Sequence, residues 1–244
     1  MTRRPARVAA ACALGLLLLP GCTALPFGDD EEEAPVPTTS APRQVESYVL
    51  DDEQAARTIP EPLPGWDRSP VDDTPTRWRK TDPPACIDVL LLGQPRRDAK
   101  AMQSGQASDG ATTGSGDSLR VLNVTVESHE QPVAPALLDR AQQALPGCSA
   151  FAFYGEQGGS QLDERISAEA LPTQAVGQQS VGIRKTLLAK VGGEQKTYYL
   201  DTLAVRDGNT LVVVTLTHTD PQTDLSPLGT TAQKVIAAVP EAAR

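Results

Sequence analysis

From residue 181 onward, apolar side chains fall on every second position: Val181, Ile183, Leu187, Ala189 and Val191, and again through the valine-rich stretch from Leu211 to His218. A period of two is what a strand with one buried face produces. Gly192-Gly193 and Asp207-Gly208 separate these stretches from a middle one, Tyr198 to Arg206. Both pairs favour tight hairpin turns, so the chain predicts a three-stranded antiparallel meander over 181–218. Leu119 to Ser128 alternates in the same way, with Leu122, Val124 and Val126 on one face and Asn123, Thr125 and Glu127 on the other. Elsewhere the period is helical. Val133, Leu137, Ala141, Ala144 and Leu145 form one stripe ahead of Pro146-Gly147, and Leu228, Ala232, Val235, Ile236 and Val239 form another. The second helix is expected to take Ser226 as its cap and Pro227 at its first position. Two short helices are expected, Asp51 to Thr58 ended by Ile59-Pro60, and Pro84 to Leu92 stopped by Gly93. A meander with amphipathic helices predicts an α+β fold, an antiparallel sheet flanked by helices.

The first 21 residues follow another logic. Arg3, Arg4 and Arg7 precede an apolar run from Val8 to Leu19, and Pro20, Gly21 and Cys22 end it. About 12 apolar residues behind a positive flank make a secretion signal; a membrane-spanning helix needs about 20. Leu19, Gly21 and Cys22 resemble a bacterial lipobox, although Pro20 stands where that pattern prefers a small residue. The resemblance implies cleavage before Cys22 and a diacylglyceryl group on its sulfur, and two or more acyl chains hold a protein stably on a membrane. Residues 22–46 then carry five consecutive acids at 29–33 and prolines at 26, 35, 37 and 42. That composition builds no core and suits a solvated tether, roughly 25 Å as a coil. Residues 47–244 remain, enough for one extracytoplasmic domain. Within it, residues 103–118 (QSGQASDGATTGSGDS) are expected to form a mobile loop.

Charge and cysteines narrow the partners. Loss of three arginines with the signal takes the formal charge from −9 to −12. So acidic a surface excludes nucleic acid, whose phosphates are bound by Lys and Arg. It also repels anionic headgroups, so the membrane contact is expected through the N-terminal lipid alone. Of four cysteines, Cys12 leaves with the signal and Cys22 takes the lipid. Cys86 and Cys148 remain, an even pair in an exported domain, and are expected to form a disulfide.

Several short stretches carry a family resemblance: Ser47-Tyr48-Val49-Leu50 before the acidic helix, Pro84-Ala85-Cys86, Leu145-Pro146-Gly147-Cys148, Leu171-Pro172, Val176-Gly177, Ser180-Val181, and Arg206-Asp207-Gly208-Asn209 ahead of Leu211 to Val214. In this order they resemble actinobacterial lipoproteins whose domain is similar to the extracellular sensor domain of mycobacterial PknH-type serine/threonine kinases. The resemblance implies an antiparallel sheet flanked by helices with a ligand cleft. Those kinase domains hold two disulfides, and this chain has cysteines for one.

Little points to catalysis. His129 and His218 both follow strands and are expected at a rim, on opposite faces by parity. GQQSVG at 177–182 lacks the glycine that a nucleophile elbow needs two residues before the serine. No metal-ligand spacing or cofactor motif is present, so no catalytic residue, metal or cofactor is expected. Trp66 and Trp78 flank GWDRSPVDDTPTRWRK, a stretch able to line a binding cleft or to pin a long loop to the core. The expected function is a lipid-anchored, non-catalytic ligand-binding or sensing module on the outer face of the cytoplasmic membrane, with an unknown envelope ligand or protein partner. The competing readings are a cell-envelope hydrolase with a carboxylate site and a structural partner of an envelope complex.

Overall fold

A computed structural model describes residues 47–71, 76–191 and 194–244. The signal segment, Cys22, the tether and the Gly192-Gly193 turn fall outside those residues. Four helices are present: α1 (Asp52–Thr58), α2 (Gln94–Ala101), α3 (Ala136–Ala144) and α4 (Ser226–Ala242). The strands are β1 (Asp67–Ser69), β2 (Thr76–Asp82), β3 (Gln103–Thr113), β4 (Arg120–His129), β5 (Phe151–Gln157), β6 (Ser160–Ala170), β7 (Gln179–Val191), β8 (Glu194–Asp207) and β9 (Thr210–His218). They form one sheet in the order β1-β3-β4-β9-β8-β7-β6-β5-β2. All its pairs are antiparallel.

Alternation along the central strands divides the interior in two. Leu122, Val124, Val126, Val212, Val214, Leu216, Leu203 and Val205 join Leu228, Ala232, Val235 and Val239 of α4 in one cluster. Ala204 and Leu211, one residue out of phase, join Val181, Ile183, Phe151 and Phe153 in a second cluster with Leu137, Leu138 and Ala141 of α3. Neighbours in a strand point to opposite faces, so the clusters lie on opposite sides of the sheet. α1 and α4 cover one face; a smaller cap, made of a 3₁₀ turn at Pro84–Ile87 together with α2 and α3, sits on the other. Within that cap Cys86 and Cys148 are bonded, with Cα atoms 5.6 Å apart.

The predicted elements hold in the C-terminal half and over β4, α1 and α3. Asp51 caps α1, and Gln54 closes the capping box. Residues 103–118 are corrected: they are no loop but β3, paired with β4 from Gln103 to Thr113, followed by a tight turn. Small residues there permit close approach. A Cβ on Gly105 would stand 2.6 Å from the Leu50 carbonyl oxygen, and one on Gly110 2.7 Å from that of Ser69. The helix expected from Pro84 to Leu92 is also corrected. Only Pro84–Ile87 is helical, as 3₁₀, with turns over 88–91, and Gly93 starts α2 instead of stopping a helix. In α4 the side chain of Asp224, not Ser226, takes the first amide: its carboxylate accepts from the backbone N–H and the hydroxyl of Ser226.

Candidate ligand cleft

On the face that carries α4, the register places Arg184 opposite Asp201 and Tyr199 opposite His218. These side chains close into one cluster. Arg184 Nε and Nη2 donate to Asp201 Oδ1 and Oδ2, each at 2.8 Å, the bidentate geometry that suits a guanidinium. His218 Nε2 lies 2.9 Å from Asp201 Oδ2, so the carboxylate fixes the ring with its proton on Nε2. Nδ1 is buried, with no hydrogen-bond partner among the described residues. The Tyr199 ring stacks on His218 with centroids 5.5 Å apart, and the Arg184 guanidinium lies over Tyr199 at 5.4 Å. Burial pushes the Asp201 carboxyl up, but the hydrogen bonds from Arg184 and His218 outweigh it and hold the group below the usual carboxylate range.

The turn after β3 arches over the end of β9. Asp117 pairs with Lys196 Nζ at 2.6 Å, and its carbonyl accepts from the Thr219 hydroxyl at 2.7 Å. Beneath the arch lies a cleft of about 370 Å³, lined by Arg120, His218, Thr219, Asp220, Gln222 and Asp224 among others. A smaller space of about 100 Å³ meets Asp117, Leu119, His218 and Thr219 as well, and reaches Lys196 and Tyr198. Hydroxyls, carboxylates and an arginine at the rim, with a buried imidazole at the back, can hydrogen-bond and orient a polar ligand.

The two tryptophans belong to different strand regions. Trp66 precedes β1 at one edge of the sheet, while Trp78 lies on β2 at the opposite edge, and its side chain is outside the description. The stretch between them joins β1 to β2, the first and last strands of the sheet order. Trp66 packs against the α4 cluster and holds Arg120 over its ring at 5.3 Å, so it backs one rim residue without lining the cleft.

Both histidines are buried, at 1% and 2% exposure, and not at a rim as expected. Their parity is as read: His129 is on the cap face. There Glu127, 2% exposed, is gripped by Arg96, with Nη2 to Oε1 at 2.5 Å. His129 Nδ1 donates to the Ala99 carbonyl of α2 at 2.9 Å, leaving Nε2 3.8 Å from Glu127 Oε2. Burial pushes the His129 imidazole below its ordinary value. Sequence reading missed that α2 and the 114–119 arch cover the strand ends. Gly93-Gln94-Pro95, a helix-start signal with Pro at the second helical position, was the available cue for the first of these.

No protein-family model matches the chain, and no curated protein matches it in sequence. Its fold is similar to that of the extracellular domain of PknH from Mycobacterium tuberculosis, with a TM-score of 0.54 and 12% identity over 80% of this chain and 100% of that one. A structure described as a putative uncharacterized protein (Rv0999 ortholog) from Mycobacterium smegmatis aligns at a TM-score of 0.38 and 16% identity, over 77% of this chain and 95% of that one.

Proposed function

We propose that the chain is a non-catalytic ligand-binding or sensing module of the cell envelope, anchored by a lipid on Cys22 to the outer face of the cytoplasmic membrane. The observation that carries the binding half is the cleft of about 370 Å³ backed by His218, whose buried Nδ1 has no hydrogen-bond partner among the described residues. A fold shared with the extracellular domain of a kinase supports an extracytoplasmic place, as does the disulfide. The buried carboxylates among the described residues, Glu127 and Asp201, are each held by an arginine on opposite faces of the sheet. They do not face each other across a cleft as the pair of a glycoside hydrolase does.

The test is native mass spectrometry of the domain purified from its own host, followed by thermal shift with envelope glycans, lipids and peptidoglycan fragments. A ligand of this cleft stabilises the folded state by about 2.7 kcal/mol at a hundredfold excess over Kd. Arg120→Ala, a rim change, is expected to weaken that response. Turnover lost on replacing a single Asp or Glu would promote the hydrolase reading instead. Anchorage is tested separately: Cys22→Ala is expected to release the protein from membranes or to stall its processing, and full retention after salt and carbonate washing refutes the lipid anchor.

A further inference from the structure

The cap covers one part of its face of the sheet: α3 packs on β7, and the buried residues of the cap cluster lie mainly on β5, β6 and β7. On the same side of β4 and β9 the register sets three rows, Thr125 beside Val213, Asn123 beside Thr215, and Val121 beside Thr217. All six are partly exposed, while Leu122, Val124, Val212, Val214 and Leu216, which alternate with them, are buried. These rows meet solvent. Hydroxyls extend them on both sides: Ser108 Oγ of β3 lies 3.1 Å from Thr125 Oγ1, and Thr202 Oγ1 of β8 lies 3.2 Å from Thr215 Oγ1. From β3 to β8 no residue of the three rows is charged, in a chain with 31 acidic and 22 basic residues. The nearest charges stand at the borders, in Lys185 of β7, the Arg96–Glu127 pair and the Lys196–Asp117 pair. Strand preference for threonine does not explain this, because β6 and β7 present Asp163, Arg165, Glu169 and Arg184 on the opposite face. At the Thr217 end lies the space of about 100 Å³, whose lining includes Val121, Tyr198 and Thr217.

We propose that this uncharged face, with the cavity at its end, is a second ligand site and takes a neutral glycan of a few sugar units. Hydroxyl and amide side chains both donate and accept, as sugar hydroxyls do, and the valines set between them can meet the C–H faces of the rings. A charged ligand finds no counter-ion there, and an apolar one would strip water from the hydroxyls without replacing it. Size speaks against a protein partner. With strands about 4.8 Å apart and same-face residues about 6.6 Å apart, three rows on four strands cover roughly 400 Å², about half of what each partner buries in a stable complex. Arg120 alternates with Val121 and lies on the other face, so this site adjoins the His218 cleft through the arch but does not rest on a ligand there.

The probes are cellotriose, maltotriose and chitotriose, titrated into the isotope-labelled domain and followed by backbone amide shifts. At least one is expected to move the amides of Thr125, Thr215 and Thr217 and to leave those of Gln222 and Thr223, in the Arg120 cleft, in place. Triglucosamine, which has the chitotriose backbone with a charge on each ring, is expected to bind more weakly than chitotriose. Thr125→Val with Thr217→Val keeps the side-chain shape and the strand preference; it is expected to melt near the wild-type temperature. Loss of two hydrogen bonds is expected to raise its Kd about tenfold or more. Arg120→Ala is expected to keep the sugar response, whereas it weakens a ligand of the other cleft, so failure of this site and failure of the proposed function read separately. No shift on this face with any of the three sugars, shifts that follow protein concentration as for a dimer, or an unchanged Kd in the double variant each overturns the site.

Discussion

Two arginine–carboxylate–histidine clusters sit on opposite faces of one sheet, and their histidines hold their protons on different atoms. His218 donates from Nε2 to Asp201, while His129 donates from Nδ1 to a backbone carbonyl and turns Nε2 toward Glu127. Breaking either ion pair leaves a buried charge. Arg184→Met is therefore expected to cost about 3–5 kcal/mol in urea unfolding, since Asp201 keeps its burial and loses its bidentate partner. His129 makes a pH prediction. Its folded value lies below the ordinary 6.5 because burial disfavours the cation, so below pH 6.5 the unfolded chain binds a proton that the folded one refuses. The stability that neutral His129 confers is complete above that pH and is lost as pH falls toward the folded value. Wild-type stability is expected to drop more steeply than that of His129→Gln from pH 7.5 to 5.5. Parallel curves would mean that the imidazole is not the titrating group.

At the scale of elements, what sequence made legible depended on how evenly the two faces of a strand differ. β4, β7 and β9 alternate over most of their length, and the period gives them away; β8, buried on both faces from 201 to 205, was legible from the glycine pairs on either side of it. β5 and β6 were not readable: among 160–170 only Ile166 and Ala168 are buried, and polar residues fill most of the rest. Their turn, Gly158-Gly159, with φ of 56° and 81°, was the remaining signal, since two successive positive φ values make a tight hairpin. β3 was misread because Gly and Ser mean both flexibility and close approach, and here contact with Leu50, Asp51 and Ser69 decides. The cleft was illegible for a related reason: its walls come from 114–119 and 219–224, loops with no period, and a hydrogen bond from Thr219 to the Asp117 carbonyl joins them. A pair of glycine substitutions separates the two roles. Gly110→Ala is expected to destabilise by about 1–3 kcal/mol, because its Cβ meets the backbone of Ser69. Gly229→Ala, inside α4 with nothing within 4 Å, is expected to stabilise by up to about 1 kcal/mol. Equal effects in thermal melting would mean that β3 does not need its small residues.

Across the whole domain the two cores are held by unlike means. The α4 face is closed by a long helix whose Leu228, Ala232, Val235 and Val239 lie in one continuous apolar cluster with four strands. The cap face has only a 3₁₀ turn and two short helices, and Cys86 ties the turn to the end of α3 across 62 residues of chain. Loop closure of that length is worth about 4 kcal/mol on the chain-entropy model. Its loss should be felt unevenly, because the cap has little else to fasten it while α4 keeps its full apolar stripe. Opening of weakly fastened units below the global transition is what hydrogen exchange resolves. Cys86→Ala with Cys148→Ala is therefore expected to fold, to melt at a lower temperature, and to lose amide protection over 136–145 while 231–239 stays protected. The cleft at His218 is built from the end of β9, the 114–119 arch and the 219–224 loop, and touches the cap nowhere among its lining residues. Ligand binding there should survive the double replacement at temperatures where the domain is folded. Uniform loss of protection, or loss of the ligand response with the fold intact, would mean that the two faces are coupled through the sheet, and that the cap helps to shape the cleft.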